Sequence, residues 1–208
     1  MDITAVKRSY KRYAPVYDTT FRWLLGQQGR RRAAEIANQR PGRVLELGVG
    51  TGLTFPFYRD DHDVSGVDIS PEMLKKAEQR VSSRNLKFVR ELRVMDIEAL
   101  DYPDETFDTI VAAYVMSVVP DIAKALKEIE RVTRPGGQVI FVNHFRDTDN
   151  GARAKVEQTM SRFAAQLGWH PDFDLDHMLA HTNLEMTGRE DNLPPLGLFT
   201  LLRLKKRD

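Results

Sequence analysis

The sequence contains no cysteine, which excludes disulfide staples, thiolate zinc sites and cysteine nucleophiles. It has no run approaching the roughly 18 apolar residues that a membrane span requires. Its first residues, MDITAVKRSYKRY, lack the apolar core of a secretory signal. Internal repeats and low-complexity linkers are missing as well. These absences lead to the expectation of a cytoplasmic protein, at most peripherally attached to the inner face of the membrane. What is present suits one α/β domain filling residues 1–208: 41% hydrophobic and 29% charged residues in a chain long enough to bury a full core.

Neither sign of charge dominates, since the net charge is only +1. The balance hides an asymmetry. Residues 1–43 hold ten Lys/Arg against Asp2, Asp18 and Glu35, a net +7 that leaves −6 for the remainder. A basic front end on an acidic body points to an anionic partner. Ile3, Val6, Tyr10 and Tyr13 recur at helical spacing over residues 3–13, with Lys7, Arg8, Lys11 and Arg12 on other rows and Pro15 as the stop. A second helix is expected from about Thr20 to Asn38. Residues 1–40 thus read as a helical lid or membrane-contact segment, and a helix packed over a ligand with a solvated basic face is the alternative.

Beyond Pro41-Gly42 the pattern alternates. Strands are expected at Arg43–Leu47, Val64–Val67, Phe88–Val94, Phe107–Tyr114 and Gln138–Phe145. Helices are expected at Pro71–Val81, Asp121–Thr133 and about Asp149–Leu167. Leu184–Thr187 and Leu198–Lys205 read as a closing hairpin. Such alternation argues for a mostly parallel sheet covered by helices on both faces.

The informative stretch is Val44-Leu45-Glu46-Leu47-Gly48-Val49-Gly50-Thr51-Gly52. Glycines after a strand let the backbone turn tightly and approach a ligand. A dinucleotide site wants G-x-G-x-x-G, but position 53 is Leu and an acid, Glu46, precedes the loop by two residues. An acid there suits the ammonium of S-adenosylmethionine better than it suits a pyrophosphate. Asp68, 20 residues after Gly48, stands where a carboxylate accepts from ribose hydroxyls; a turn or helix-cap role before Ser70-Pro71 is the plainer reading. Asp96 follows the third strand and suits the adenine amino group, with Ile69, Met73 and Ile97 sandwiching the ring. Thr51, Ala113, Tyr13 and Tyr17 complete the expected cofactor set.

Ligands of open α/β sheets sit beyond the carboxyl ends of the strands. There the fourth and fifth strands place Tyr114 and His144, which with Tyr17 are the catalytic candidates; Asp18 and Glu98 are further proton acceptors. His144 and Arg146 also suit contacts to the acceptor, although each reads equally as a structural or surface residue. Ala112-Ala113-Tyr114-Val115 is not the Asp/Asn-Pro-Pro-aromatic run of nucleic-acid amino methyltransferases, so nucleic acid is not the expected partner. No metal cluster is visible.

From about Arg43 to Phe145 the chain resembles class I S-adenosylmethionine-dependent methyltransferases. More narrowly it resembles the bacterial phosphatidylethanolamine N-methyltransferases. The residues that carry the narrower likeness are Tyr10-Lys11-Arg12-Tyr13-Ala14-Pro15-Val16-Tyr17-Asp18, Glu46 to Leu53, Val118-Val119-Pro120 and Val142-Asn143-His144-Phe145. The resemblance implies a Rossmann-like seven-stranded sheet of order 3-2-1-4-5-7-6 with strand 7 antiparallel. It also implies successive methylation of the lipid amine to phosphatidylcholine, with S-adenosylhomocysteine as co-product. Quinone-biosynthesis methyltransferases share the glycine loop and the Tyr17-Asp18 pair, so another small apolar or amine acceptor is the alternative. A non-catalytic regulator that binds cofactor or membrane is a third.

Overall fold

Seven strands form one sheet in the order β3-β2-β1-β4-β5-β7-β6 in the computed structural model, which describes residues 27–145, 174–194, 197 and 199–208. The strands are β1 (Arg43–Leu47), β2 (Asp63–Asp68), β3 (Val89–Val94), β4 (Phe107–Ala113), β5 (Thr133–Asn143), β6 (Glu185–Leu193) and β7 (Phe199–Lys205). The first five pair in parallel. β7 runs antiparallel to both β5 and β6. The central strands are continuous apolar runs because both their faces are buried. Leu45, Leu47, Ile110, Val111, Ile140 and Phe141 are fully buried.

Helix α1 (Gln27–Ala37) covers one face together with α2 (Pro71–Ser83). The other face holds α3 (Ile122–Val132), whose Ala125, Leu126, Ile129 and Val132 form a stripe at helical spacing. Each fully buried Leu or Ile contributes about 1.5–3 kcal/mol. The ends of these helices follow from single residues. Ser70 Oγ accepts from Met73 N at the start of α2, with Pro71 in its first turn. Asp121 accepts from Lys124 N in the same way at α3.

Several boundaries differ from expectation, each for a physical reason. β4 ends at Ala113 because Tyr114 adopts φ +64, which no strand tolerates. β5 begins at Thr133, five residues before the expected Gln138, and ends at Asn143 rather than Phe145: Thr133 already pairs with Phe107, and Pro135-Gly136-Gly137 is a register irregularity within the strand rather than a turn before it. Gly136, at φ +67, is tied there by its N–H to Lys206 O at 3.0 Å. β6 runs to Leu193 although its sequence, EMTGREDNL, is polar on both faces, as befits an exposed edge. The short α4 (Leu175–Leu179) and the 3-10 turns at Phe55–Phe57 and Met116–Val118 carry too few residues to leave a periodic signal. The expected helices at 3–13 and 149–167, and residues 20–26 of the second helix, lie outside the described residues. No helix among the described residues is long and apolar enough to cross a membrane.

Candidate functional site

The glycine loop leaves β1 at the carboxyl edge of the sheet and remains hydrogen-bonded to β2, Val49 N donating to Val67 O at 3.1 Å. Gly48, Gly50 and Gly52 all take positive φ, of +63, +54 and +70, a conformation that disfavours any side chain. Their surroundings differ in an instructive way. A Cβ on Gly48 would strike the Val115 side chain, and one on Gly52 would meet the Phe55 ring at 2.6 Å. A Cβ on Gly50 would meet nothing within 4 Å. Gly48 and Gly52 are glycine for packing, whereas Gly50 borders open space that a ligand can approach.

Asp68, the last residue of β2, binds the loop directly. Its Oδ2 accepts from Gly50 N at 2.7 Å and its Oδ1 from Ser70 N at 2.9 Å. The turn-residue reading and the ligand reading are therefore compatible, because a carboxylate has about four acceptor positions. Met95 N donates to Asp68 O at 3.1 Å, so the chain after β3 lies beside β2. Asp96 Oδ1 then accepts from Glu98 N at 2.9 Å; Ile97, next in the chain, and Met73, in the first turn of α2, are both buried. Arg131 of α3 braces this loop from behind through Leu100 O, Tyr102 O, Asp104 and Glu128. The same arginine holds the Glu128 carboxyl below its usual range.

Glu46 is 2% exposed, and its Oε2 has no hydrogen-bond partner. Burial pushes its carboxyl up to about 7, against the opposing pull of the Thr54 and Tyr58 hydroxyls and of Arg30. The Tyr58 phenol is pushed higher by the same burial and by the carboxylate beside it. A buried carboxylate oxygen lacking a donor is a costly feature, and it fits a site awaiting a cationic group. Sequence reading missed Arg30, Thr54 and Tyr58. They reach Glu46 only because the Phe55–Phe57 turn and α1 fold back over β1, and no motif encodes that.

Tyr114 continues the sheet edge, its N–H donating to Val142 O at 2.7 Å. Its ring stacks edge-on against Phe199 at 4.8 Å, with the Arg30 guanidinium 4.6 Å from its centroid. Gly29 lies against its hydroxyl, so a helix side chain at that position would collide with it. Burial raises the phenol to about 12, so it stays protonated near neutral pH. His144, one residue beyond β5, is 3% exposed. Glu98 is occupied structurally, accepting from Asp121 N at 2.9 Å with Lys124 4.0 Å away. Ala113 ends β4 between these groups. Thus the structure gathers Glu46, Gly48, Gly50, Thr51, Asp68, Ile69, Met73, Asp96, Ile97, Ala113, Tyr114 and His144 at one edge. Lys7, Arg8, Lys11, Arg12, Tyr13, Tyr17, Asp18 and Arg146 lie outside the described residues. Among the described residues no three His, Asp or Glu side chains are placed to hold a metal ion.

The family profile for the methyltransferase domain matches residues 45–141, which run from β1 through most of β5. The phosphatidylethanolamine N-methyltransferase of Cereibacter sphaeroides is 47% identical over 207 residues, covering all of both chains. A demethylmenaquinone methyltransferase of Thermus thermophilus is 36% identical over 140 residues, 64% of this chain and 63% of that protein. Among solved structures, the [4+2]-cyclase SpnF superposes with a TM-score of 0.76 at 17% identity, covering 97% of this chain and 95% of its own. A cyclase on this fold shows that the architecture alone does not specify the chemistry.

Proposed function

The chain belongs to the methyltransferase family and is an S-adenosylmethionine-dependent enzyme; from that premise we propose that it methylates the amine of phosphatidylethanolamine, successively, to phosphatidylcholine. The observation that carries this reading is the 47% identity to a phosphatidylethanolamine N-methyltransferase along the whole of both chains. The likeness to a quinone-type enzyme stops at about two thirds of either chain.

The residues of the glycine edge fit the cofactor. Asp68 would hold the ribose hydroxyls while fixing Gly50, whose open face admits the cofactor without a Cβ in the way. Glu46 would take the ammonium on the oxygen that has no other donor. Asp96 would accept from the adenine amino group between Ile69, Met73 and Ile97. Thr51 and Ala113 would close the two ends of the pocket. When bound, S-adenosylmethionine supplies a methyl group already activated on a sulfonium for in-line displacement. The protein's task is positioning and proton removal.

An alkylamine with pKa near ~10 costs about 4 kcal/mol to deprotonate at pH 7, and only the neutral amine attacks. His144 is the side chain at this edge suited to take that proton. Tyr114, a neutral phenol near pH 7, packs against Gly29 of α1, which also packs against Val142. Tyr13 and Tyr17 close over the cofactor in this reading, with Tyr17 near the reacting amine. Lys7, Arg8, Lys11 and Arg12 hold the enzyme to an anionic membrane surface, each contributing about 1 kcal/mol. Arg146 with His144 receives the lipid phosphate. The protein thus works peripherally on the membrane. Offering methyl-labelled S-adenosylmethionine with phosphatidylethanolamine vesicles and demethylmenaquinone in competition tests the reading: label is expected in the lipid, and label confined to the quinone would replace it.

A further inference from the structure

Side chains alternate along a strand, so Glu46 shares the α1 face of the sheet with Val44, while Leu45 and Leu47 belong to the α3 face. The Phe55–Phe57 turn, flanked by Thr54 and Tyr58, packs on that same α1 face. Asn38, the residue after α1, fixes this turn. Its Nδ2 donates to Phe57 O at 2.9 Å, and its Oδ1 accepts from Arg59 N at 3.1 Å. His62 Nε2 lies 3.1 Å from the same oxygen, and the His62 ring meets Tyr58 edge-on at 6.1 Å.

Within this frame two hydroxyls are left over. Thr54 is fully buried at the start of the turn, yet its side chain makes no cap hydrogen bond and its Oγ1 has no partner. Tyr58 is buried at the end of the turn, and its hydroxyl has no partner either. Both bear on the Glu46 carboxyl, whose Oε2 likewise lacks a donor. Three buried polar atoms without partners cost the fold stability. They satisfy one another once Glu46 is an anion, because a carboxylate accepts at about four positions. It can take both hydroxyls and still face an ammonium. Burial and the adjoining carboxylate keep the Tyr58 phenol protonated, so it remains a donor through the neutral range.

We propose that Thr54 and Tyr58 are positioning residues for cofactor capture, their hydroxyls donating to Glu46 and so presenting it as a carboxylate to the ammonium of S-adenosylmethionine. The proposal rests on the assignment of Glu46 to that ammonium. Among the described residues the groups that favour the charged carboxylate against burial are these two hydroxyls and the Arg30 charge from α1. Arg30 stays cationic across the neutral range, and His62, beside Tyr58, is retained in every variant.

The test compares full-length wild type with Tyr58→Phe, Thr54→Val, Thr54→Ser and Glu46→Gln. The first two delete a hydroxyl at nearly constant shape, and Thr54→Ser keeps it. Without cofactor at pH 6, Tyr58→Phe and Thr54→Val should have urea midpoints no lower than wild type, since the hydroxyls removed are unpaired. Calorimetric titration with S-adenosylmethionine from pH 6 to 9 decides the matter. The cofactor's own α-amino group titrates near ~8 for every protein, so ratios of affinity are compared at each pH. Losing one donor moves the Glu46 carboxyl up from about 7 to about 8. Tyr58→Phe and Thr54→Val should therefore bind about tenfold more weakly than wild type at pH 6 and about fivefold at pH 7, the gap closing near pH 9. Thr54→Ser should match wild type. Wild-type affinities in Tyr58→Phe and Thr54→Val, beside a weakened Glu46→Gln, overturn the role of the hydroxyls and leave Glu46 with the ammonium. Undiminished affinity in Glu46→Gln overturns both. A loss equal at every pH with a lowered urea midpoint, or Thr54→Ser weakened like Thr54→Val, marks packing and overturns the proposal.

Discussion

Replacing Glu46 by Gln should stabilise the cofactor-free protein while weakening its hold on S-adenosylmethionine. The carboxyl is buried at 2% exposure and its Oε2 lacks a donor, so ionisation inside the fold is unfavourable. Burial moves it from 4.5 to about 7, and at about 1.4 kcal/mol per pKa unit the gap corresponds to roughly 3 kcal/mol. The sign follows from proton counts. Between about 4.5 and 7 the native state binds more protons than the unfolded chain, so this group's contribution is full at acid pH and is lost as pH rises through 7. The Gln variant lacks that dependence. Urea denaturation without cofactor should therefore find the variant more stable than wild type by up to about 3 kcal/mol at pH 8, with the gap closing toward pH 4.5. S-adenosylmethionine should stabilise wild type strongly at pH 8 and the variant little, because the cation's partner is gone. A variant less stable than wild type at pH 8, or one that binds the cofactor as tightly, would refute the assignment of Glu46 to the ammonium.

Other outcomes follow from the same edge. Gly50→Ala should fold at a cost of about 1–2 kcal/mol for its positive φ yet lose most cofactor affinity, whereas Gly48→Ala, which drives a methyl into Val115, should lower the urea midpoint more than any other change in the loop. Asp68→Ala should weaken S-adenosylmethionine binding by about 1.5–3 kcal/mol, the worth of a charge-assisted hydrogen bond; unchanged calorimetric affinity would sink that role. Neutralising Lys7, Arg8, Lys11 and Arg12 together should weaken binding to anionic vesicles, as added salt does, and leave cofactor affinity intact. Equal vesicle binding at low salt would make the basic row a solvated face.

The cofactor edge was legible because its residues follow buried strands. Runs such as Val44–Leu47 and Ile110–Ala113 declare themselves through unbroken apolarity, and the turn after them needs glycine whatever the ligand. Asp68 and Asp96 could be placed by counting from those strands. What escaped depends on tertiary approach. The neighbours of Glu46 arrive from a 3-10 turn and from α1, and Tyr114 takes its positive φ with its side chain against Gly29 and Phe199, residues far from it in sequence. β6 was read as half its length because an edge strand exposed on both faces has no alternation to detect. The extension of β5 through Pro135-Gly136-Gly137 was hidden by residues that normally end strands.

The central claim is methyl transfer to a lipid nitrogen, and mass spectrometry of the lipid itself tests it most directly. Purified protein, S-adenosylmethionine and phosphatidylethanolamine vesicles should yield monomethyl, dimethyl and trimethyl headgroups in succession, with less formed by Asp68→Ala at sub-saturating S-adenosylmethionine. Unmodified phosphatidylethanolamine, alongside turnover of a soluble amine or a quinone precursor by the same preparation, would contradict it.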